Sequence, residues 1–272
     1  MKYSKLDWVL VYLAFFQSAC LLAWPLTLDR FGVVGHTLIF ILQLALFYYN
    51  SIVITHNFLH TPFLKNSLMN KIFASFNSLN LGLPQILYRY HHLNHHKYNN
   101  TLKDPSSTKL YASPQREHEH WVTYCLFSLF REGTQMAYKE ILKKGQLAEL
   151  AAQVLVCLSF FTYLMIISPF FFFVFYVPFY ILGWFLAHME NYFEHFHATD
   201  EHNFYANAVS YYGRIYNRLM FNEGYHQEHH LRPGLHWSKR PQVHKKFNSQ
   251  MKKNKAYEAK YPPLLGFLDT GM

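Results

Sequence analysis

Cysteine and charge are what this chain has least of. Its 272 residues include 3 Cys, none in a CxxC or similar pairing. A disulfide framework, a Cys-ligated zinc module and an iron–sulfur cluster each need several thiolates at set spacings, so all three are excluded. Charged residues make up 15%, where a soluble domain carries roughly a quarter. Acidic groups are the scarcer kind, 16 Asp and Glu against 25 Lys and Arg, for a formal net charge of +9. No flavin or nicotinamide fingerprint is present, so electrons for any redox chemistry would have to come from outside. What the chain has in quantity is apolar and aromatic surface, 51% hydrophobic with 26 Phe and 21 Tyr, which excludes disorder. It also has 18 His.

The apolar residues fall in runs. Residues 8–28 and 33–54 carry no charge, and each is long enough for a membrane-crossing helix, which needs about 20 apolar residues. Asp29, Arg30, Phe31 and Gly32 between them read as a tight turn. Two further runs, 150–167 and 169–188, meet at Ser168 and Pro169, a helix break. Segments 72–88 and 121–130 are apolar but interrupted, and read as helices lying at the interface or plugging the bundle. The first run is long and lacks a small-residue cleavage site, so it reads as a retained helix rather than a signal peptide. An even number of spans puts both termini on one side, together with all of the 25 Lys and Arg except Arg30. By the positive-inside rule that side is the cytoplasm. The excess charge is explained by topology and by attraction to anionic headgroups, and with no recognition module present nucleic-acid binding is not expected.

The histidines are grouped. His56 and His60 follow the second run; His91, His92, His95 and His96 lie in RYHHLNHHKY; His188, His195 and His197 end the fourth run; His226, His229 and His230 lie in HQEHH. Residues at i, i+3 and i+4 share one helix face. His56 with His60, His92 with His95 and His96, and His226 with His229 and His230 therefore each aim their rings at one point. A single helix from residue 35 to 60 would be about 39 Å long, and one from 169 to 195 about 40 Å, against a hydrocarbon core of about 30 Å. Both should protrude and carry their histidines into the cytoplasm. Neutral imidazoles around a metal are satisfied where clustered cations would repel. Eight or more are too many for one four-coordinate zinc, so two metal ions are implied, with ligand type alone leaving the metal open. His36, His118, His120, His202 and His244 read as solvated or interfacial, and His197 and His236 as surface groups or neighbours of ligands. The runs read as too poor in polar groups for a metal-transport path, and lack the paired histidines that hold a membrane haem.

The series HNFLH, then HLNHHKY followed by Asp104-Pro105, then HQEHHLRP, resembles the three histidine boxes of the membrane fatty acid desaturase superfamily, which includes hydroxylases and alkane monooxygenases. The resemblance implies a non-haem di-iron centre that activates dioxygen. Carried over position by position, it implies His56, His60, His92, His95, His96, His226, His229 and His230 as ligands, with His195 from the end of the fourth span. Asn191 to His195 combines an NxxxH like that of acyl desaturases with an NYxEH like that of alkane monooxygenases, and Asn191 is a further candidate. His92 completes a desaturase-like HxxHH, while His91 would complete a monooxygenase-like HxxxHH; the choice stays open. His188, Glu194 and Asp104 are candidates for ligation or for hydrogen bonding to ligands, with Glu190, Glu223 and Glu228 nearby.

The expected architecture is all-α. It is an integral membrane domain over 1–272, a four-helix transmembrane bundle with a cytoplasmic helical cap, 55–146 and 189–272, holding a di-metal site. The expected activity is oxygen-dependent desaturation of a long fatty acyl or lipid chain at two iron ions. The alternative is hydroxylation of a fatty acid or alkane, with terminal-alkene-forming decarboxylation a rarer outcome. The expected partners are membrane lipids and a separate ferredoxin, rubredoxin or cytochrome as electron donor. The Phe-rich run at 170–175 is expected to face lipid.

Overall fold

Backbone polar groups inside hydrocarbon must be satisfied within their own segment, and each apolar run forms a helix. The computed structural model describes residues 1–131 and 133–269. It holds four helices long and apolar enough to cross a membrane, Asp7–Thr27, Val33–His60, Leu147–Ile167 and Pro169–Phe193. Among the described residues the only β pairing is an isolated bridge between Ser210 and Glu258. The chain divides into two compact bodies, Met1–Tyr90 with Ala137–Trp184, and His91–Met136 with Phe185–Met272.

In the first body, the second span does not stop at 54. It continues to His60 through a π-helical stretch, Asn50–Thr55, because the polar residues there are buried against other parts of the bundle rather than meeting water. Ser168, extended at φ −162°, separates the third and fourth spans, and its Oγ accepts from the Phe171 amide at 3.1 Å, capping the fourth. Lipid-type exposure is plain at Val33, Ile166, Phe170 and Phe173, the last two 61% exposed. Phe171 departs from the expected pattern. It is buried edge-on to Trp24, with ring centroids 5.1 Å apart.

Segment 72–88 is not one helix. Ser67–Leu81 ends at Gly82, left-handed at φ 64°, and Gln85–Tyr98 begins afresh after Pro84. A Cβ on Gly82 would lie 2.5 Å from the Tyr180 ring, so the break needs glycine both for its backbone angle and for space.

The spans are also less apolar inside than composition suggests. Gln17, Asn50, Thr55, Asn77, Asn80 and Gln85 are all buried and joined. Asn50 Nδ2 donates to Gln17 Oε1 and Asn77 Oδ1, both at 2.8 Å. Asn77 Nδ2 in turn donates to Thr55 Oγ1 and Gln85 Oε1, both at 2.9 Å. Asn80 Nδ2 reaches the Ala14 carbonyl and Asn77 Oδ1, again at 2.9 Å. His36, expected at a solvated end, is buried, accepting from Trp24 Nε1 at 3.2 Å. The network pins helix Ser67–Leu81 to the first span and to the π stretch immediately before His56.

In the second body, Tyr124, Cys125, Met189, Tyr192 and Phe193 form a buried cluster joining helix Trp121–Phe127 to the end of the fourth span. That span's helix stops at Phe193, so His195 sits in the following turn, its amide bonded to the Tyr192 carbonyl at 3.1 Å, rather than on one long helix. Short helices Arg214–Leu219 and His226–Leu231 and the longer Arg240–Lys253 complete this body.

Candidate metal centre

Each histidine group sits on the element its spacing requires. His92, His95 and His96 project from helix Gln85–Tyr98; His226, His229 and His230 occupy the six-residue helix His226–Leu231. In the first body, His56 and His60 close the helix His56–His60 with ring centroids 5.4 Å apart at 77°, the geometry of an i, i+4 pair.

The second body brings seven rings together around two foci. In one, His96 Nε2 lies 3.0 Å from both His92 Nε2 and His229 Nε2. In the other, His195 Nε2 lies 3.0 Å from His95 Nε2 and 3.3 Å from His226 Nε2. His95, His195 and His230 each offer a nitrogen within 4.8 Å of the others, and among the described residues His230 Nε2 is buried with no hydrogen-bond partner. A ring nitrogen has either one hydrogen or one lone pair. His96 Nε2 and His195 Nε2 each face two others, so hydrogen bonding alone serves such a focus poorly. A cation accepting all the lone pairs serves it well. The residues present therefore fit two imidazole-bound metal ions.

The outward nitrogens support this. His95 Nδ1 is 2.7 Å from Asp104 Oδ2, which fixes the ring with Nε2 inward, the usual device for orienting a metal-bound imidazole. Asp104 is held in turn by the amides of Asn100 and Ser106, both at 2.8 Å. Burial pushes its carboxyl up, but the His95 ring and these amides outweigh that and leave it below the ordinary range. His226 Nδ1 is 3.0 Å from Glu194. Burial, with Glu190 and Glu223 beside it, pushes the Glu194 carboxyl well up against the pull of Arg240; bound cations would bring it down. Burial also drives the His195 and His230 rings strongly toward the neutral form, the form that ligates.

The sequence matches the fatty acid desaturase family over residues 35–262. The chain belongs to the fatty acid desaturase family. Searches of curated proteins and of solved structures returned no match. Membership makes it an oxidoreductase of lipid metabolism, in keeping with its membrane-length helices and histidine groups.

The remaining candidate residues make other contacts. His91 turns from the foci to Ser106, Nε2 to Oγ at 2.7 Å, and burial pulls it down to about 4. Asn191 Nδ2 donates to the Tyr124 hydroxyl at 2.7 Å. His188 presents its ring to Tyr124, centroids 6.4 Å apart. Glu228 is fully buried and accepts from Ser210 and Tyr212, both at 2.8 Å, with His244 Nδ1 at 2.5 Å, so His244 is not a simple solvated residue. Two groups that sequence reading passed over also belong here. Arg240, 2% exposed, pairs with Glu223 at 2.9 Å and approaches His229 Nδ1 at 3.3 Å. Tyr216 donates to Glu190 at 2.5 Å. Nothing in the sequence marks Arg240, which stands in the basic stretch RPQVHKK and reads as surface.

Proposed function

We propose that this protein inserts a double bond into a long fatty acyl or lipid chain, using dioxygen at two iron ions bound by the histidine groups. The observation that carries this reading is the pair of foci, where Nε2 atoms meet at 3.0–3.3 Å while the outer nitrogens of His95 and His226 meet carboxylates. His92, His96 and His229 would hold one ion and His95, His195, His226 and His230 the other. His56 and His60, the first box of the sequence pattern, are the further ligands that the family resemblance implies. Bound iron would supply the activation of dioxygen and the oxidation of the C–H bond. The balance is one CH2–CH2 pair and one dioxygen, with two electrons and two protons from outside, giving one CH=CH and two waters.

The chain's own residues position and insulate. Asp104 and Glu194 accept hydrogen bonds from the Nδ1–H groups of His95 and His226, which leaves each Nε2 lone pair free to ligate. Arg240 balances Glu223 where an unpaired buried carboxylate would be costly. The packed histidine cluster keeps bulk water from the reacting atoms. Electrons arrive from a separate ferredoxin, rubredoxin or cytochrome, drawn by the basic residues. Both termini and the centre are cytoplasmic, as the placement of Lys and Arg favours.

Hydroxylation at the same site is the second reading, favoured by the Asn191–His195 segment with its NYFEH pattern. Expression in a host with a compatible reductase, followed by mass spectrometry of total lipids, tests both. New alkenes support desaturation, new alcohols support hydroxylation, and an unchanged profile despite iron loading contradicts both.

A further inference from the structure

The first body contains a cavity of about 370 Å³, within the size range of small-molecule sites, about 300–1,000 Å³. Four cations line it, Lys2, Lys65, Lys71 and Arg89, against one carboxylate, Glu149. Among the described residues none of the four is ion-paired. Two buried donors beside it also lack acceptors. Gln153 is fully buried, and its Oε1 accepts from the Ile86 amide at 2.7 Å, but its Nε2 has no partner among the described residues; the same holds for Arg89 Nε. A buried donor left without an acceptor is destabilising, and here two of them meet an excess of positive charge. Both deficits are met by one kind of ligand, a multivalent anion rich in acceptor oxygens.

We infer that this cavity binds a phosphate-class dianion. A carboxylate would leave most of the lining charge uncompensated, whereas a phosphate monoester offers up to two charges and three acceptor oxygens. The chemistry is shared by the headgroup of a membrane lipid that ends in a phosphate monoester and by free phosphate. The wall includes Phe58 and Leu59, which lie between His56 and His60. At about 100° per residue Phe58 falls opposite the histidine pair, so an occupant would lie behind the first histidine box and distinct from the ligating nitrogens.

The test uses iron-loaded full-length protein in a phosphorus-free maltoside, titrated with radiolabelled inorganic phosphate at constant ionic strength. The expected result is saturable binding of one phosphate per chain. Affinity should fall about tenfold in Arg89→Gln, which loses a charge-assisted contact of about 1.4 kcal/mol, and should also fall in Lys71→Gln, an exposed change that leaves the fold alone. Lys253→Gln should bind as the parent does. Displacement of the label by nanodiscs of phosphatidylcholine containing phosphatidic acid, but not by phosphatidylcholine alone, identifies a lipid headgroup as the source. Failure of both discs to displace it identifies free phosphate. No saturable binding, or equal binding in Arg89→Gln, Lys71→Gln and parent, overturns the inference.

Discussion

A buried imidazole with both nitrogens committed has little freedom left, and that makes single substitutions decisive. His229→Ala should abolish turnover while the protein still inserts into the membrane, because it empties one side of the His92–His96–His229 focus; retained turnover would remove His229 from the ligand set. Asp104→Asn probes orientation instead. The amide cannot accept His95 Nδ1–H as a carboxylate does, and loss of such an outer partner costs roughly 10–100-fold in metal affinity. Iron retained after chelator dialysis should fall accordingly, with near-normal membrane yield; unchanged retention would make the 2.7 Å contact incidental. The grouping of the histidines was legible because i, i+3, i+4 spacing is local. Arg240 was not, because its burial depends on Glu223 and His229 coming from other elements.

At the scale of elements, the π-helical stretch Asn50–Thr55 and the amide network around Asn77 set the first histidine box. A π turn adds a residue without adding a turn, which rotates everything after it by about 100°. Asn77→Leu would remove the Asn77 donor from buried Gln85 Oε1 and one of the partners of buried Asn50, at a cost of about 1–3 kcal/mol per unsatisfied group. The thermal midpoint should drop by several degrees and iron occupancy should fall with it; a midpoint within a degree of the parent would show the network to be dispensable. Gly82→Ala places a Cβ 2.5 Å from Tyr180 in a left-handed backbone, so it should lower folded yield in the membrane. Charge-free length located all four spans. The extension of the second span to His60 was visible only in histidine spacing, and segment 72–88 read as interrupted, but its division into two helices at Gly82 depends on the close approach of Tyr180. The amide network is unreadable locally, since Gln17, Asn50 and Asn77 become partners only when three helices pack.

For the whole molecule, a net charge of +9 on a chain with membrane-length helices suits an acidic electron donor. Electrostatic steering of that kind acts on association rate and is screened within about 8–10 Å at physiological salt. Turnover at limiting donor should therefore fall several-fold between low and physiological ionic strength, while turnover at saturating donor should change little; salt-independent kinetics at both would contradict a charge-guided partner. The most direct measurement of the central claim is metal content paired with activity on the protein isolated from membranes. The isolated protein should hold two irons per chain, lose activity on chelation, and regain it with ferrous iron but not with zinc. Full activity with zinc alone, or with a single iron per chain, would contradict the claim.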